Sequence, residues 1–259
     1  MTSRLALVRR PGPRLTEGIV THLERTPVDA GLAAAQWDAY VEALTANGWT
    51  TLEAAPADDC PDGVFVEDTV VMFRNVAVIT RPGAVARRPE TPAVRAALED
   101  LGCPVAELRG PATLDGGDVL KVGDTVYVGR GGRTNAAGVA ALRALLTPLG
   151  AHVIAVPLTD TLHLKSAYTA LPDGTVIGHT PHNPLFPHYL RVPEESGAHV
   201  VDLGNGRLLI ATSAPHTTDL LADLGYTPVP VDISEYEKLE GCVTCLSVRL
   251  RAQHHHAER

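Results

Sequence analysis

The stretch ALRALLTPLGAHVIAVPL, residues 141–158, carries the main signal for the fold. An Ala- and Leu-rich helical run ends at a glycine and is followed by an extended, Val-rich run, the pattern of a helix with a C-cap glycine and then a strand. The same sequence pattern occurs three more times, so the chain contains an internal repeat. The other copies are VEALTANGWTTLEAAP (41–56), VRAALEDLGCPVAEL (94–108) and LLADLGYTPVPVDI (220–233).

Three of these copies follow a predicted β-hairpin, in which two apolar runs flank a tight turn. The turn pairs are Arg74-Asn75, Gly123-Asp124 and Asn205-Gly206. The repeating unit is therefore strand, strand, helix, strand. Its glycines recur about 50 residues apart, except for one longer gap that predicts a fifth unit. That unit includes LHLKSAYTALPDGTVIGHT (162–180), which has a hairpin turn at Asp173-Gly174 but no clear helix after it.

Repeats of this length indicate a solenoid or a propeller. A solenoid needs polar end repeats. Here the first unit lacks its hairpin, and the last segment, VTCLSVRL (243–250), is an apolar strand without a helix. We therefore predict a five-bladed α/β propeller, closed by pairing the C-terminal strand with RLALV (4–8), which also removes exposed sheet edges. A doubly wound α/β sheet is the alternative. One domain spans 1–259, with the last eight residues or so frayed.

Composition limits the classes of function. The net charge is -8 without a basic cluster, which disfavours nucleic acid and suits a small cationic substrate. No apolar run is long enough to span a bilayer and no signal peptide is evident, so we expect no membrane role and a cytoplasmic location. Four cysteines in 259 residues are expected to be free thiols.

Acidic residues are concentrated in otherwise apolar sequence. PDGVFVEDT contains Asp62, Glu67 and Asp68, and TLDGGDVL contains Asp115 and Asp118. The simpler interpretation of any one of these acids is that it is a turn residue or lies on a solvated face. Together, acids from two repeats would line the centre of a ring, where paired carboxylates suit a guanidinium group.

Cys242 and Cys245 form a C-x-x-C spacing in EGCVTCLSVRL (240–250). The following LSVRL alternates like a strand, which would point the two thiols to opposite faces and disfavour a redox pair or a shared metal. A zinc site would need further ligands that no second motif supplies. One thiol acting alone remains, with His163 as its candidate partner and Asp115 to orient the imidazole. A buried structural histidine is the simpler alternative for His163.

Six stretches together resemble the dimethylarginine dimethylaminohydrolases, members of the guanidine-modifying (pentein) superfamily. The resemblance covers residues 62–250, and VRRPGPRLTEGI (8–19) is similar to the family's N-terminal segment. It implies a five-bladed α/β propeller, a small guanidino substrate such as methylated arginine, and no metal or cofactor. The stretches, in chain order, are FVEDTVV, TRPGAVARR, TLDGGDVL, GRTN, LHLKS and EKLEGCVTCLSVRL.

The resemblance also implies residue roles. Cys245 is the expected nucleophile, His163 the general acid and base, and Asp115 the carboxylate that holds the histidine. Glu240 departs from the family, which usually has Asp there, and this puts the preference for dimethylated guanidinium in question. The expected substrate-binding residues are Ile19 (a lid position), Asp62 (for the α-amino group), Glu67, Asp68 (for the guanidinium), Arg87, Arg133 (for the α-carboxylate), Leu239 and Glu240.

The implied reaction hydrolyses N-omega-methylated arginine to citrulline and an amine through a covalent thiouronium on the cysteine. An arginine deiminase-like enzyme and a non-catalytic guanidine-binding protein are the alternatives. The assembly state stays open, with a homodimer as one option, and residues 180–200 receive no role.

Overall fold

Five three-stranded sheets are arranged one per repeat in this computed structural model, which describes residues 4–181 and 184–251. The strands are β1 Arg4–Val8, β2 Thr50–Glu53, β3 Val70–Phe73, β4 Val76–Ile79, β5 Val105–Glu107, β6 Val119–Val122, β7 Thr125–Arg130, β8 His152–Pro157, β9 Tyr168–Ala170, β10 Val176–Gly178, β11 Tyr189–Arg191, β12 Val200–Gly204, β13 Arg207–Ala211, β14 Thr227–Val231 and β15 Val248–Arg251. The α-helices are α1 Ala30–Ala46, α2 Thr91–Asp100, α3 Ala136–Leu146, α4 Pro215–Asp223 and α5 Ser234–Glu237.

Each complete blade has the predicted order of strand, strand, helix and strand. In the blade that contains the opening stretch, β6 pairs antiparallel with β7, α3 crosses over, and β8 returns parallel to β7. The blades β3-β4-α2-β5 and β12-β13-α4-β14 repeat this pairing. A parallel return requires a crossover, and the helix supplies it. The propeller prediction is confirmed, and the doubly wound alternative is wrong.

The two ends of the chain complete one blade together. β15 pairs antiparallel with β1, with Leu5 opposite Leu250, and β1 pairs parallel with β2 across α1. The N-terminal unit thereby acquires the hairpin strand that its own sequence lacks. The predicted fraying of the last eight residues falls outside the described part of the chain.

The fifth unit has strands but no helix among its described residues. β9, β10 and β11 form its sheet. Phe186, in the connection to β11, is buried with its ring centroid 5.0 Å from those of Tyr127 and Tyr168. This aromatic cluster supplies apolar packing in the blade that lacks a helix.

Helix α1 shows how the sequence sets a blade helix against the core. Its N-cap Asp29 accepts a hydrogen bond from the backbone N–H of Leu32. Trp37, Tyr40 and Leu44 lie at helical spacing on one buried face. The Tyr40 hydroxyl donates to the carbonyl of Val243 at 2.8 Å, which ties this helix to the loop before β15.

Short 3-10 turns hold the acids Glu67, Asp68 and Asp118, and a third such turn follows His163. Val66–Thr69, Gly116–Asp118 and Leu164–Ser166 each precede the first strand of a blade. Contacts between these turns show that they meet near the centre of the ring. Among the described residues, none of the helices combines the length and the apolar character that a membrane span requires.

Candidate active site

A cavity of about 20 Å³ lies where the turns before the first strands converge. Nine of the eleven residues predicted for the site line it, and Asp115 lies directly behind His163. Glu67 is the exception. The cavity is lined by Ile19, Asp62, Phe65, Asp68, Arg87, Arg133, Leu162, His163, Leu239, Glu240, Gly241 and Cys245.

The two cysteines of the C-x-x-C spacing lie side by side, and the prediction that a strand separates them is wrong. β15 begins only at Val248, and the preceding residues form a turn in which the Cys245 N–H donates to the Cys242 carbonyl at 3.0 Å. The two Sγ atoms are 3.2 Å apart and both residues are buried. The hydrogen bond with Cys242, burial, and the negative charges of Glu67 and Asp68 raise the pKa of Cys245.

His163 is held among carboxylates. Its Nε2 lies 3.0 Å from Oδ2 of Asp115, and its Nδ1 lies 3.8 Å from Oδ1 of Asp68. Burial favours the neutral ring, but the charge of Asp68 and the hydrogen bond with Asp115 prevail and raise the pKa of His163 to about 9. The imidazole is therefore protonated at neutral pH and able to act as an acid.

Asp68 is an ionised carboxylate in the cavity wall. Burial opposes its charge, but His163 and Arg87 outweigh burial and lower the pKa of Asp68 to about 2. Arg87 Nη1 lies 2.6 Å from Asp68 Oδ2, and the same guanidinium forks onto both oxygens of Glu90. Arg87 is thus engaged by two acids of its own chain, a geometry that fixes it as a rigid part of the wall.

The double glycine after Asp115 allows two blades to approach closely. A Cβ on Gly116 would overlap the carbonyl oxygen of Glu67, and a Cβ on Gly117 would lie 2.6 Å from Nδ1 of His163. The Gly117 N–H donates to Asp68 at 2.9 Å. Glycine is needed here because any side chain would push the acid and the histidine apart.

Glu67 does not reach the cavity, so its predicted contact with the substrate is not supported. Its side chain lies 2.5 Å from Nζ of Lys165 and accepts a hydrogen bond from the Thr244 hydroxyl at 2.7 Å. It lines a separate cavity of about 540 Å³. The 3-10 turn explains this, because consecutive residues project in different directions and only Asp68 points toward His163.

The remaining predicted residues lie at the rim. Asp62 accepts a hydrogen bond from the Ile19 N–H at 3.0 Å, and burial raises the pKa of Asp62 against the opposing charge of Arg87. Arg133 Nη1 lies 3.8 Å from Asp115. The Glu240 carboxylate accepts hydrogen bonds from residues 21–23 of the backbone rather than pointing into the cavity.

Several supporting residues were not predicted. Glu90 pairs with Arg87 three residues earlier, a helical spacing that could have indicated it. Asp118 accepts hydrogen bonds from the Leu164 N–H and the Thr134 hydroxyl, and burial raises the pKa of Asp118 to about 6. The contact of Asp118 with Leu164 joins two neighbouring blades, and no short spacing in the sequence indicates it.

Asp68, Asp115 and His163 bring ligand atoms within 4.8 Å of one another, close enough for one cation. Such a cluster could hold a metal. In this structure the acids already contact Arg87 and His163, which supply positive charge. Ion pairing accounts for the cluster without a metal, and the expected lack of metal stays a prediction.

Known proteins resemble the chain over almost its whole length, although no family model matches it. The dimethylarginine dimethylaminohydrolase of Streptomyces coelicolor is 70% identical over 254 residues, which cover 97% of this chain and 98% of that protein. The Pseudomonas aeruginosa enzyme, solved as a cysteine-to-serine mutant with citrulline, has a TM-score of 0.90 at 32% identity and covers 96% of this chain and 100% of its own.

A second solved dimethylarginine dimethylaminohydrolase, a histidine-to-glycine variant with an S-methyl-L-thiocitrulline adduct, has a TM-score of 0.91 at 31% identity. It covers 96% of this chain and 100% of its own. The chain belongs to the N(G),N(G)-dimethylarginine dimethylaminohydrolase family.

Proposed function

We propose that this chain hydrolyses N-omega-methylated arginine to citrulline and dimethylamine or methylamine. The observation that carries the proposal is the convergence of a buried thiol, a protonated histidine and an ionised carboxylate on one cavity. The activity in the names of the relatives supports it. A guanidinium group would satisfy the charge of Asp68, which is ionised throughout the physiological range.

The polar rim suits the other end of an amino acid. In the binding pose that we propose, Asp62 faces the α-amino group and Arg133 the α-carboxylate, with Ile19 and Leu239 covering the methylene chain. All four residues line the same cavity. Arg87 acts through Asp68, whose orientation its guanidinium fixes at 2.6 Å.

Binding and activation are coupled in the proposed mechanism. Without substrate, Glu67 and Asp68 contribute to a raised pKa that keeps the Cys245 thiol protonated. A bound guanidinium brings a positive charge beside the thiol and offsets those acids, so the thiol releases its proton to solvent water as the complex forms. The thiolate then meets a carbon kept electrophilic by Asp68.

Two steps follow at the guanidinium carbon. The Cys245 thiolate forms a C–S bond while the bond to the methylated nitrogen breaks, and His163 gives its proton to the departing amine. Water then transfers a proton to neutral His163 and adds to the thiouronium carbon. The C–S bond breaks, and citrulline and the free thiol are released. Asp115 holds the ring of His163 through both steps.

The test is to incubate the purified protein with arginine, monomethylarginine and asymmetric dimethylarginine and to measure citrulline. We expect kcat/KM to be highest for a methylated substrate. Higher kcat/KM for arginine would favour the deiminase-like alternative, and tight binding by calorimetry without citrulline would favour the non-catalytic one.

We also propose how the chain is organised and where it acts. The chain acts as a single catalytic domain, because its N- and C-terminal strands share one sheet. It occurs in the cytoplasm, and a homodimer is the assembly to test first. Sedimentation at micromolar concentration checks the dimer, and fractionation of the producing cell checks the location.

A further inference from the structure

The segment of residues 18–25, here called the entrance segment, covers the small cavity. Ile19 lines the cavity, and its N–H donates to Asp62. The cavity volume is about 20 Å³, whereas pockets that hold small molecules measure about 300–1,000 Å³. The cavity is therefore smaller than the pockets that hold a molecule the size of methylarginine, and Ile19 ties the entrance segment to its wall.

One carboxylate holds the outer half of the entrance segment. Glu240 Oε1 accepts hydrogen bonds from the N–H groups of Thr21 and Leu23, each at 2.9 Å, and from the N–H of His22. Its Oε2 accepts from the Thr21 hydroxyl at 3.1 Å. Successive N–H groups that converge on one anion form a nest, an arrangement that binds negative charge well.

The contact is specific rather than a chance surface pair. Residues 21–25 are exposed, so little apolar burial competes with the Glu240 contact in fixing their position. Glu240 has φ +61, a left-handed conformation that a non-glycine residue keeps only when its surroundings impose it. It also lies in the cavity wall, five residues before Cys245.

We propose that Glu240 is a positioning residue that latches the entrance segment over the substrate. This deepens the proposed function and rests on it. The latch acts on admission and retention of substrate rather than on the guanidinium itself. Its loss therefore weakens binding to a similar degree for arginine and for both methylated arginines. A carboxylate that touched the guanidinium would instead change the ranking of the three.

The test compares Glu240→Gln and Glu240→Asp with a matched control, Glu237→Gln, which removes a neighbouring carboxylate bonded to Ser213. Amide hydrogen exchange at residues 21–23 measures, without any substrate, how firmly Glu240 holds the entrance segment. We expect exchange there to accelerate about tenfold or more in both Glu240 variants and not in the control. The shorter Asp keeps the charge but cannot reach the three N–H groups.

Kinetics supply the second readout. We expect KM to rise about tenfold for every substrate while kcat changes little, the pattern of lost uniform binding. Unchanged exchange at residues 21–23, or a KM change confined to one methylation state, would overturn the latch. If the parent protein forms no citrulline, the proposed function fails, and the exchange experiment still decides whether Glu240 holds the segment.

A different observation carries a second inference, that the C-x-x-C spacing is a site of reversible oxidation. The Sγ atoms of Cys242 and Cys245 are 3.2 Å apart, and the N–H of Cys245 donates to the carbonyl of Cys242 in a tight turn. Such a turn keeps the Cα atoms within about 7 Å, inside the range that a disulfide spans. Cys245 also lines the cavity, which gives an oxidant a route.

We infer that a hydroperoxide converts the pair to a disulfide. One thiolate attacks the peroxide oxygen, the O–O bond breaks, and a sulfenic acid and an alcohol or water form. The second thiol attacks that sulfur, the S–O bond breaks, and water leaves with the thiol proton. Two thiols are oxidised and one hydroperoxide is reduced. The oxidised protein lacks the free Cys245 thiol. A dithiol reduces the disulfide and restores both thiols.

Hydrogen peroxide followed by dithiothreitol tests this, with peptide mapping and citrulline formation as readouts. We expect a Cys242–Cys245 linked peptide and recovery of activity in the parent protein and in the control Cys103→Ser. In Cys242→Ser the sulfenic acid of Cys245 has no resolving thiol, so excess hydrogen peroxide should oxidise it further to the sulfinic acid, which dithiothreitol does not reduce, and inactivation should persist. Absence of the linked peptide, or equal recovery in Cys242→Ser, would overturn the inference.

Discussion

The described residues line two cavities, and neighbouring residues of the same turns face different ones. Asp68 and Cys245 line the cavity of about 20 Å³, whereas Glu67 and Thr244 line the cavity of about 540 Å³. His163 faces the first and Lys165 the second.

The difference shows that volume does not identify this active site. Glu67 and Lys165 in the large cavity neutralise each other at 2.5 Å. In the small cavity, Asp68 and His163 shift one another's pKa to about 2 and about 9, and a thiol lies beside them. Opposed pKa shifts next to a nucleophile are typical of catalytic sites. Ile19 of the entrance segment forms part of the wall of the small cavity.

The largest expected effect comes from the thiol of the small cavity. Cys245→Ser should abolish citrulline formation, because a serine hydroxyl without a strong base is not an effective nucleophile at this position. Cys242→Ser, the matched control three residues away, should keep most of the activity. Citrulline formation by Cys245→Ser at the parental rate would contradict the assignment.

His163 gives the next largest effect. His163→Gln should lower kcat about 10²–10⁴-fold, because the departing amine then lacks its general acid. Asp115→Asn should lower kcat less, since the ring remains but loses its ionic partner. His199→Gln serves as the control, because His199 contacts the Ser166 carbonyl outside the cavity. Steady-state kinetics check all three variants, and an equal loss in the control would point to a folding defect.

A substitution in the large cavity should change the stability of the protein rather than its binding of substrate. Glu67→Gln leaves Lys165, whose side chain is 13% exposed, without its ionic partner and should lower the free energy of unfolding by about 3 kcal/mol. KM for dimethylarginine should change less than about twofold, because Glu67 does not line the small cavity. Chemical denaturation and steady-state kinetics measure the two quantities. A large rise in KM at unchanged stability would restore Glu67 as a substrate contact.

The pH dependence should follow His163. As pH rises through about 9, the protonated fraction of His163 falls and kcat/KM should fall with it. Asp118 is among the acids that raise the pKa of His163, so Asp118→Asn should move this alkaline limb to lower pH. The pH profile of kcat/KM for both proteins checks this. If the alkaline limb of Asp118→Asn stays at the parental pH, Asp118 does not raise the pKa of His163.

The smallest effect is expected at the outer rim of the large cavity. Asp124→Asn removes an exposed ion pair with Arg74, whose atoms are 3.4 Å apart. Exposed pairs contribute about 0–1 kcal/mol. Thermal unfolding and kinetics should both stay near the parental values, and a marked loss of activity would mean that the large cavity takes part in the reaction.

The repeat and the closure of the ring were predictable because both leave a periodic trace in the sequence. The C-cap glycines at 48, 102, 150 and 225 all have positive φ, as that pattern requires. The resemblance to the family identified nine of the residues that line the cavity, and seven of them lie in the six quoted motifs. The blade repeat is visible in the sequence because each blade is built mainly from residues that are neighbours along the chain. The site residues come from several blades and were found through the family motifs instead.

Other features depend on contacts that no local pattern records. Glu67 and Asp68 diverge because their stretch is a 3-10 turn, whereas alternating apolar residues predicted a strand. The alternation of LSVRL does not extend back to Cys242, so the thiols meet in a turn. Glu240 contacts backbone N–H groups more than 200 residues away, and backbone donors have no sequence signature.

The central claim is that Cys245, in the small cavity, is the nucleophile. The most direct measurement is peptide mapping after inactivation by a chloroacetamidine-type reagent, with fragmentation that resolves Cys242 from Cys245. The account predicts one label, on Cys245, that dimethylarginine prevents in proportion to its occupancy of the site. A label on Cys242 or Cys60, or labelling of Cys245 that dimethylarginine does not slow, would contradict it.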